Sequence, residues 1–179
     1  MPPASDRRAA LLDAMADHML SAGLAASSLR PLAKAAGTSD RMLLYYFPTK
    51  DALVEAVLAH VAQRQAELLA ADMSGPLPLE TLRRVLAERL FAPEIFPYMR
   101  LWLEVAAGAA TGDPLLRRAG EAIARGFLAW GEAQLEGPPG PHRSAQAARL
   151  LVTLEGMLFL KSIGLEDVAK AALATPDLC

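Results

Sequence analysis

Residues 28–50, SLRPLAKAAGTSDRMLLYYFPTK, leave this chain few folds to choose from. Ser28 can cap a helix by accepting from a backbone N–H one turn on, and Pro31 falls in the first turn, where no N–H is needed. Leu32, Ala33 and Ala36 give that helix an apolar face, and Gly37 ends it as the residue best suited to a left-handed position. Ser39 then caps a second helix, Asp40 complements its positive end, and Leu43 and Phe47 point inward one turn apart. A helix, a tight glycine turn and a second helix make a helix-turn-helix over residues 28–47, the pattern whose second helix enters a DNA major groove.

Nearly everything else reads as helix too. Ala and Leu dominate, β-branched residues are few, and no period-two alternation persists. A first helix is expected from about Ser5 to Ala22, with Leu11 or Leu12, Met15 and Met19 inward and Gly23 as its stop. Thr49 caps a connecting helix to about Ala71, whose apolar positions are Leu53, Val57, Leu58, Val61 and Leu68, spaced at threes, fours and a seven. Residues 73–78, MSGPLP, form the first clear break. Further helices are expected over Leu79–Phe91, from about Tyr98 to Ala110, from Pro114 to about Gln134, from Ser144 to Ile163, and in a short segment to about Ala174. The one starting at Pro114 has large residues on one side and Ala119, Ala122, Gly126, Ala129 and Ala133 on the other, small enough for a second helix to approach. Residues 150–160 are apolar nearly all round, which one small body can cover only in part.

Gly23, Ser28-Leu29-Arg30, Leu32-Ala33, Ala36-Gly37, Ser39, Leu43, Tyr45-Tyr46-Phe47-Pro48-Thr49-Lys50 and Leu53 together resemble the TetR family of bacterial transcription regulators, over about residues 5–60. The resemblance implies an all-α protein. An N-terminal three-helix helix-turn-helix DNA-binding domain would span residues 1–50, and a C-terminal helical ligand-binding and dimerisation domain residues 51–179. It also implies a homodimer on palindromic double-stranded operator DNA, and repression relieved by a small-molecule effector that shifts the spacing of the two heads. Two positions depart from the family: Leu44, where relatives usually have Tyr, and Met42, where they have Thr or a small residue.

Charge agrees with that division. Residues 1–50 hold six Lys/Arg against four Asp, a net +2, while the remainder holds 12 basic and 16 acidic residues, a net −4. Hydrophobic residues make up 53% of the 179, yet no apolar run approaches the ~18–20 residues of a membrane span. No membrane association is expected. The first ten residues lack an apolar stretch, which predicts no secretory signal. Cys179 is the only cysteine, so no internal disulfide can form and a cytoplasmic setting is expected.

Arg30 and Arg41 are the expected base readers, through guanine O6 and N7; the plain alternative is a solvated or internally paired arginine. Ser28, Ser39, Tyr45, Tyr46 and Lys50 are expected on phosphates. Exposed Asp40 would repel phosphate or accept from cytosine N4, and Met42, like Leu44, could meet a thymine methyl. The resemblance places Arg7 and Arg8 near the DNA backbone, with simple solvation as the alternative. In the body, Leu58, Met99, Trp102, Leu103, Phe127, Met157 and Phe159 are candidate pocket residues, although such residues at helical spacing also serve as plain core. With only Tyr98, Arg100, Glu104 and Glu155 as polar anchors, a mainly apolar effector is expected. Ile123, Trp130, Leu151, Leu154 and Leu158 are the candidate dimer contacts. His18, His60 and His142 sit in separate segments without metal-ligand spacing, and the chain has no HExxH, GxSxG, Walker or GxGxxG motif. Catalysis, metal and cofactor are therefore not expected. The competing reading is a helical dimeric ligand-binding or adaptor protein that no longer binds DNA.

Overall fold

The computed structural model describes residues 4–71 and 73–174, so Cys179 lies outside the described residues. Among these, the helices are α1 (Ala4–Ala22), α2 (Leu29–Ala35), α3 (Asp40–Tyr46), α4 (Lys50–Ala70), α5 (Leu79–Leu90), α6 (Phe96–Ala110), α7 (Pro114–Ala133), α8 (Pro141–Ser162) and α9 (Glu166–Ala174), with a 3-10 turn at Leu24–Ala26. The chain is all-α, as its periodicity requires. None of the described helices is long and apolar enough to cross a membrane. Two compact units result: Met1–Gln65 with Arg100–Ile123, and Ala66–Met99 with Ala124–Cys179. Compactness thus groups most of α4, most of α6 and the first half of α7 with the helix-turn-helix.

In the first unit α1 buries Leu11, Leu12, Met15, Ala16, Met19 and Leu20, and α4 buries Leu53, Val54, Val57, Leu58 and Val61. Two polar side-chain contacts set the register of these helices. Asp13 meets His60 at 2.6 Å and Asp17 meets Arg64 at 2.8 Å. Both partners advance by four residues in the same direction, so the helices run parallel along this contact. The pairs are partly exposed, worth about 0–1 kcal/mol each, and their effect is on register more than on stability. His60, which lacks metal-ligand spacing in the sequence, is a cross-helix partner.

A second brace holds the end of α1. Arg100 on α6 donates to the carbonyls of Leu20 at 2.8 Å and Ser21 at 3.1 Å, which have no partner further along the helix. Glu104, one turn on, accepts from the backbone N–H of Leu24. Between them Gly23 takes φ +79°, and a Cβ there would lie 2.9 Å from both Glu104 carboxylate oxygens. The positive φ favours glycine here, and a Cβ would also push the Glu104 carboxylate away from the Leu24 N–H. Arg100 and Glu104, expected as pocket anchors, are committed to this brace instead.

In the second unit Ala87 of α5, Met157 of α8 and Ala169 of α9 form a core on which Phe91, Leu154, Leu160 and Leu173 pack. Lys161 donates to the Leu90 carbonyl at 2.9 Å and lies over the Phe91 ring at 5.1 Å, closing the end of α5. The segment before α5 pairs with the end of α7 and the residues after it: the Leu77 N–H donates to the Gln134 carbonyl at 2.8 Å, and the Glu136 N–H to the Leu77 carbonyl at 3.0 Å. α8 begins three residues earlier than expected, with Gly140 as its cap and Pro141 at its first position, where a proline fits. The near-continuous apolar stretch of α8 is half covered: Leu150, Met157 and Leu158 are buried, while Val152 and Phe159 are exposed.

Candidate nucleic-acid interface

Local chemistry builds the motif. α2 ends with Gly37 at φ +60°, the Gly37 N–H donating to Lys34 at 3.2 Å and the Thr38 N–H to Ala33 at 3.0 Å, the paired bonds of a Schellman cap. α3 starts at Ser39, whose hydroxyl accepts from the Met42 N–H at 3.3 Å. Ser28 sits at the cap of α2 in extended conformation, but its hydroxyl makes no capping bond; its carbonyl accepts from Leu32 instead. That corrects the expected cap and leaves the Ser28 hydroxyl uncommitted. Leu32, Ala33, Leu43 and Phe47 are buried, and α2 packs on both α1 and α3. Thr49 caps α4, accepting from the Ala52 N–H at 3.0 Å.

The opposite face of the motif is open. Ser28, Arg30, Ser39, Asp40, Arg41, Met42, Leu44, Tyr45 and Lys50 are exposed, and Tyr46 is half-buried. Tyr45 and Tyr46 meet edge-on, ring centroids 5.2 Å apart, which holds both phenols at the end of α3. Among the described residues, Arg30, Arg41 and Lys50 have no acidic partner. The paired-arginine alternative therefore fails for Arg30 and Arg41. Outside the motif, Arg64 pairs with Asp17, Arg83 with Glu80 and Arg118 with Glu55. Arg8 is exposed, with its guanidinium 4.9 Å over the Phe47 ring.

Residues 11–57 match the model of the bacterial regulatory proteins of the tetR family. The HTH-type transcriptional regulator BetI of Burkholderia thailandensis is 30% identical over 161 residues, which cover 87% of this chain and 80% of that one. The chain belongs to the TetR family. The BetI regulator of Paraburkholderia phytofirmans is 32% identical over 114 residues, 62% of this chain and 58% of its own length. A solved Rhodococcus structure assigned to the TetR-family regulators superposes with TM-score 0.74, covering 95% of this chain and 96% of that one. At 21% identity, that likeness speaks to the fold: a helix-turn-helix head and a helical C-terminal domain. TetR-family regulators bind DNA, and this chain is a transcriptional regulator rather than an enzyme. No group of three or more His, Cys, Asp or Glu side chains among the described residues could hold a metal.

The body candidates of this TetR-family chain fall in both units. Leu58, Trp102 and Leu103 belong to the first; Met99, Phe127, Met157 and Phe159 belong to the second. Leu58, Met99 and Met157 are interior, and Trp102, Leu103 and Phe127 are half-buried. Phe159 is 56% exposed and lines no interior of its own unit. Of the expected dimer contacts, Ile123, Trp130 and Leu151 are half-buried, Leu154 packs on the core around Met157, and Leu158 is buried. Leu158 therefore faces inward. The open row on α8 is Val152, Gly156, Phe159 and Ile163, with Leu165 and Val168 exposed on the segment that follows.

Sequence reasoning passed over Gln65, the buried polar side chain of the described core at 6% exposure. The seven-residue gap between Val61 and Leu68 in the α4 stripe was its signal. Leu68 itself is 41% exposed, and Leu69 takes the inward place.

Proposed function

We propose that this chain is a ligand-responsive repressor, acting in the cytoplasm as a homodimer on a palindromic operator and released by a small, mainly apolar effector. The observation that carries the DNA reading is the open face of α2 and α3. Arg30, Arg41 and Lys50 stand there without acidic partners, around an exposed Tyr45. Unpaired cations beside hydroxyls suit phosphates, and arginines near the start of a recognition helix suit base edges. In this reading residues 1–50 are the DNA-facing head and 51–179 the sensing and dimerising body. Ser28, Ser39, Tyr45, Tyr46 and Lys50 hold the backbone, while Arg30 and Arg41 read bases and Asp40 accepts from cytosine N4.

The exposed apolar row of α8, continued by Leu165 and Val168, supports a second copy as partner, since a lone chain would leave it in water. Two heads on a two-fold axis ask for half-sites a helical turn or more apart, ~34–36 Å or beyond. The apolar character of the body candidates supports an apolar effector. One that binds the wrongly spaced dimer ~100-fold tighter contributes ~2.7 kcal/mol toward release.

Selection of bound duplexes from a random pool, at moderate fixed salt, tests the reading. An enriched palindrome is expected. A folded dimer that enriches no duplex would leave the ligand-binding adaptor as the better account.

A further inference from the structure

The recognition helix carries more apolar surface into water than DNA phosphates can use. Met42 is 41% exposed and Leu44 is 42% exposed, on a helix of seven residues whose inward anchors, Leu43 and Phe47, are already buried. Successive residues turn by about 100° around a helix, so Arg41 and Tyr45 mark the centre of the outward face. Leu44 and Met42 flank that centre on opposite sides. Beside Arg30, Arg41 and Lys50, none held by an acidic partner, the surface suits a polyanion better than an apolar protein.

Within a major groove the apolar side chain has one natural partner. Guanine, cytosine and adenine offer donors and acceptors there, and thymine alone adds a methyl group, at C5. We infer that Leu44 and Met42 are specificity-determining residues that read the C5 methyls of two different thymines in each half-site, one on either side of the base pair met by Arg41. The inference rests on the DNA-binding reading above and goes further, naming the base chemistry of the operator. A tyrosine at 44 could recognise a position by hydrogen bond. Leucine there recognises it only by burying a methyl.

The test uses the full chain and its enriched duplex. Each thymine is replaced in turn by deoxyuridine, which keeps every pairing and groove hydrogen bond but lacks the methyl. Burying one methyl is worth about 0.8 kcal/mol, so each critical replacement should weaken binding about fourfold, at two thymines per half-site. In Leu44→Ala one of those penalties should vanish, and in Met42→Ala the other; both residues lie on the surface, and thermal melts check that the variants fold. If uracil at every thymine leaves the wild-type Kd unchanged, or both penalties persist undiminished in the variants, methyl reading is overturned while DNA binding stands. If no duplex is enriched, the DNA-binding reading falls and this inference falls with it.

Discussion

Apart from the single residues Leu68 and Phe96, exposed large apolar side chains gather in two places, and the charges beside them differ. On α3, Met42, Leu44 and Tyr45 are exposed next to Arg30, Arg41 and Lys50, none of them neutralised by an acidic group among the described residues. On α8 and the segment after it, Val152, Phe159, Ile163, Leu165 and Val168 are exposed, but the nearby lysines are spoken for. Lys161 closes α5 by donating to Leu90, and Lys170 pairs with Glu166. Exposure alone does not distinguish the two surfaces; the charges beside them do. In the proposed function, free cations suit the first to a polyanion, and committed ones suit the second to an apolar contact with another copy.

The sharpest way to break this contrast is to put a charge on the second face. Phe159→Asp should drive the dimer to monomer, because two like charges would meet across a desolvated two-fold contact; a penalty of roughly 3–5 kcal/mol is expected. Sedimentation velocity reads the outcome, and a persistent dimer would place the interface elsewhere. A change on the first face should leave the dimer untouched. Arg41→Ala should relax preference at one base position per half-site by about 1–3 kcal/mol in a repeat of the duplex selection. An unchanged site would mean that Arg41 reads no base.

Smaller effects sharpen the comparison further. Glu104→Ala removes the acceptor of the Leu24 N–H and should lower stability by about 1–2 kcal/mol in urea melts. An unaltered midpoint would show that the N–H finds water instead. Lys50→Ala should weaken all duplexes alike and reduce the slope of log K against log salt by about one unit. A loss confined to particular sequences would make Lys50 a base reader.

The head was far more legible than the body, for a physical reason. Ser39, Gly37 and Thr49 act through hydrogen bonds a few residues away, so their spacing in sequence is their geometry. The Asp13–His60 and Asp17–Arg64 pairs and the Arg100–Glu104 brace join residues from 47 to 80 positions apart. No local pattern announces such partners. Arg100 and Glu104 looked like pocket polar groups for that reason. Leu158 was misplaced because an almost wholly apolar helix offers no contrast from which to choose its inward side. Arg8 stacks on Phe47 although nothing near it in sequence is aromatic.

The brace at Gly23 bears on how such a protein could be recombined. A crossover that transplants residues 1–60 onto a foreign body would leave behind Arg100 and Glu104, and with them the groups that tie off α1. The recipient would inherit a reading head whose first helix ends in unmet carbonyls and whose glycine joint is slack. A hybrid that keeps the native α6 segment avoids the loss. The transferable unit of this regulator is therefore discontinuous in sequence, and gene fusions drawn at the edge of the motif would cut through it.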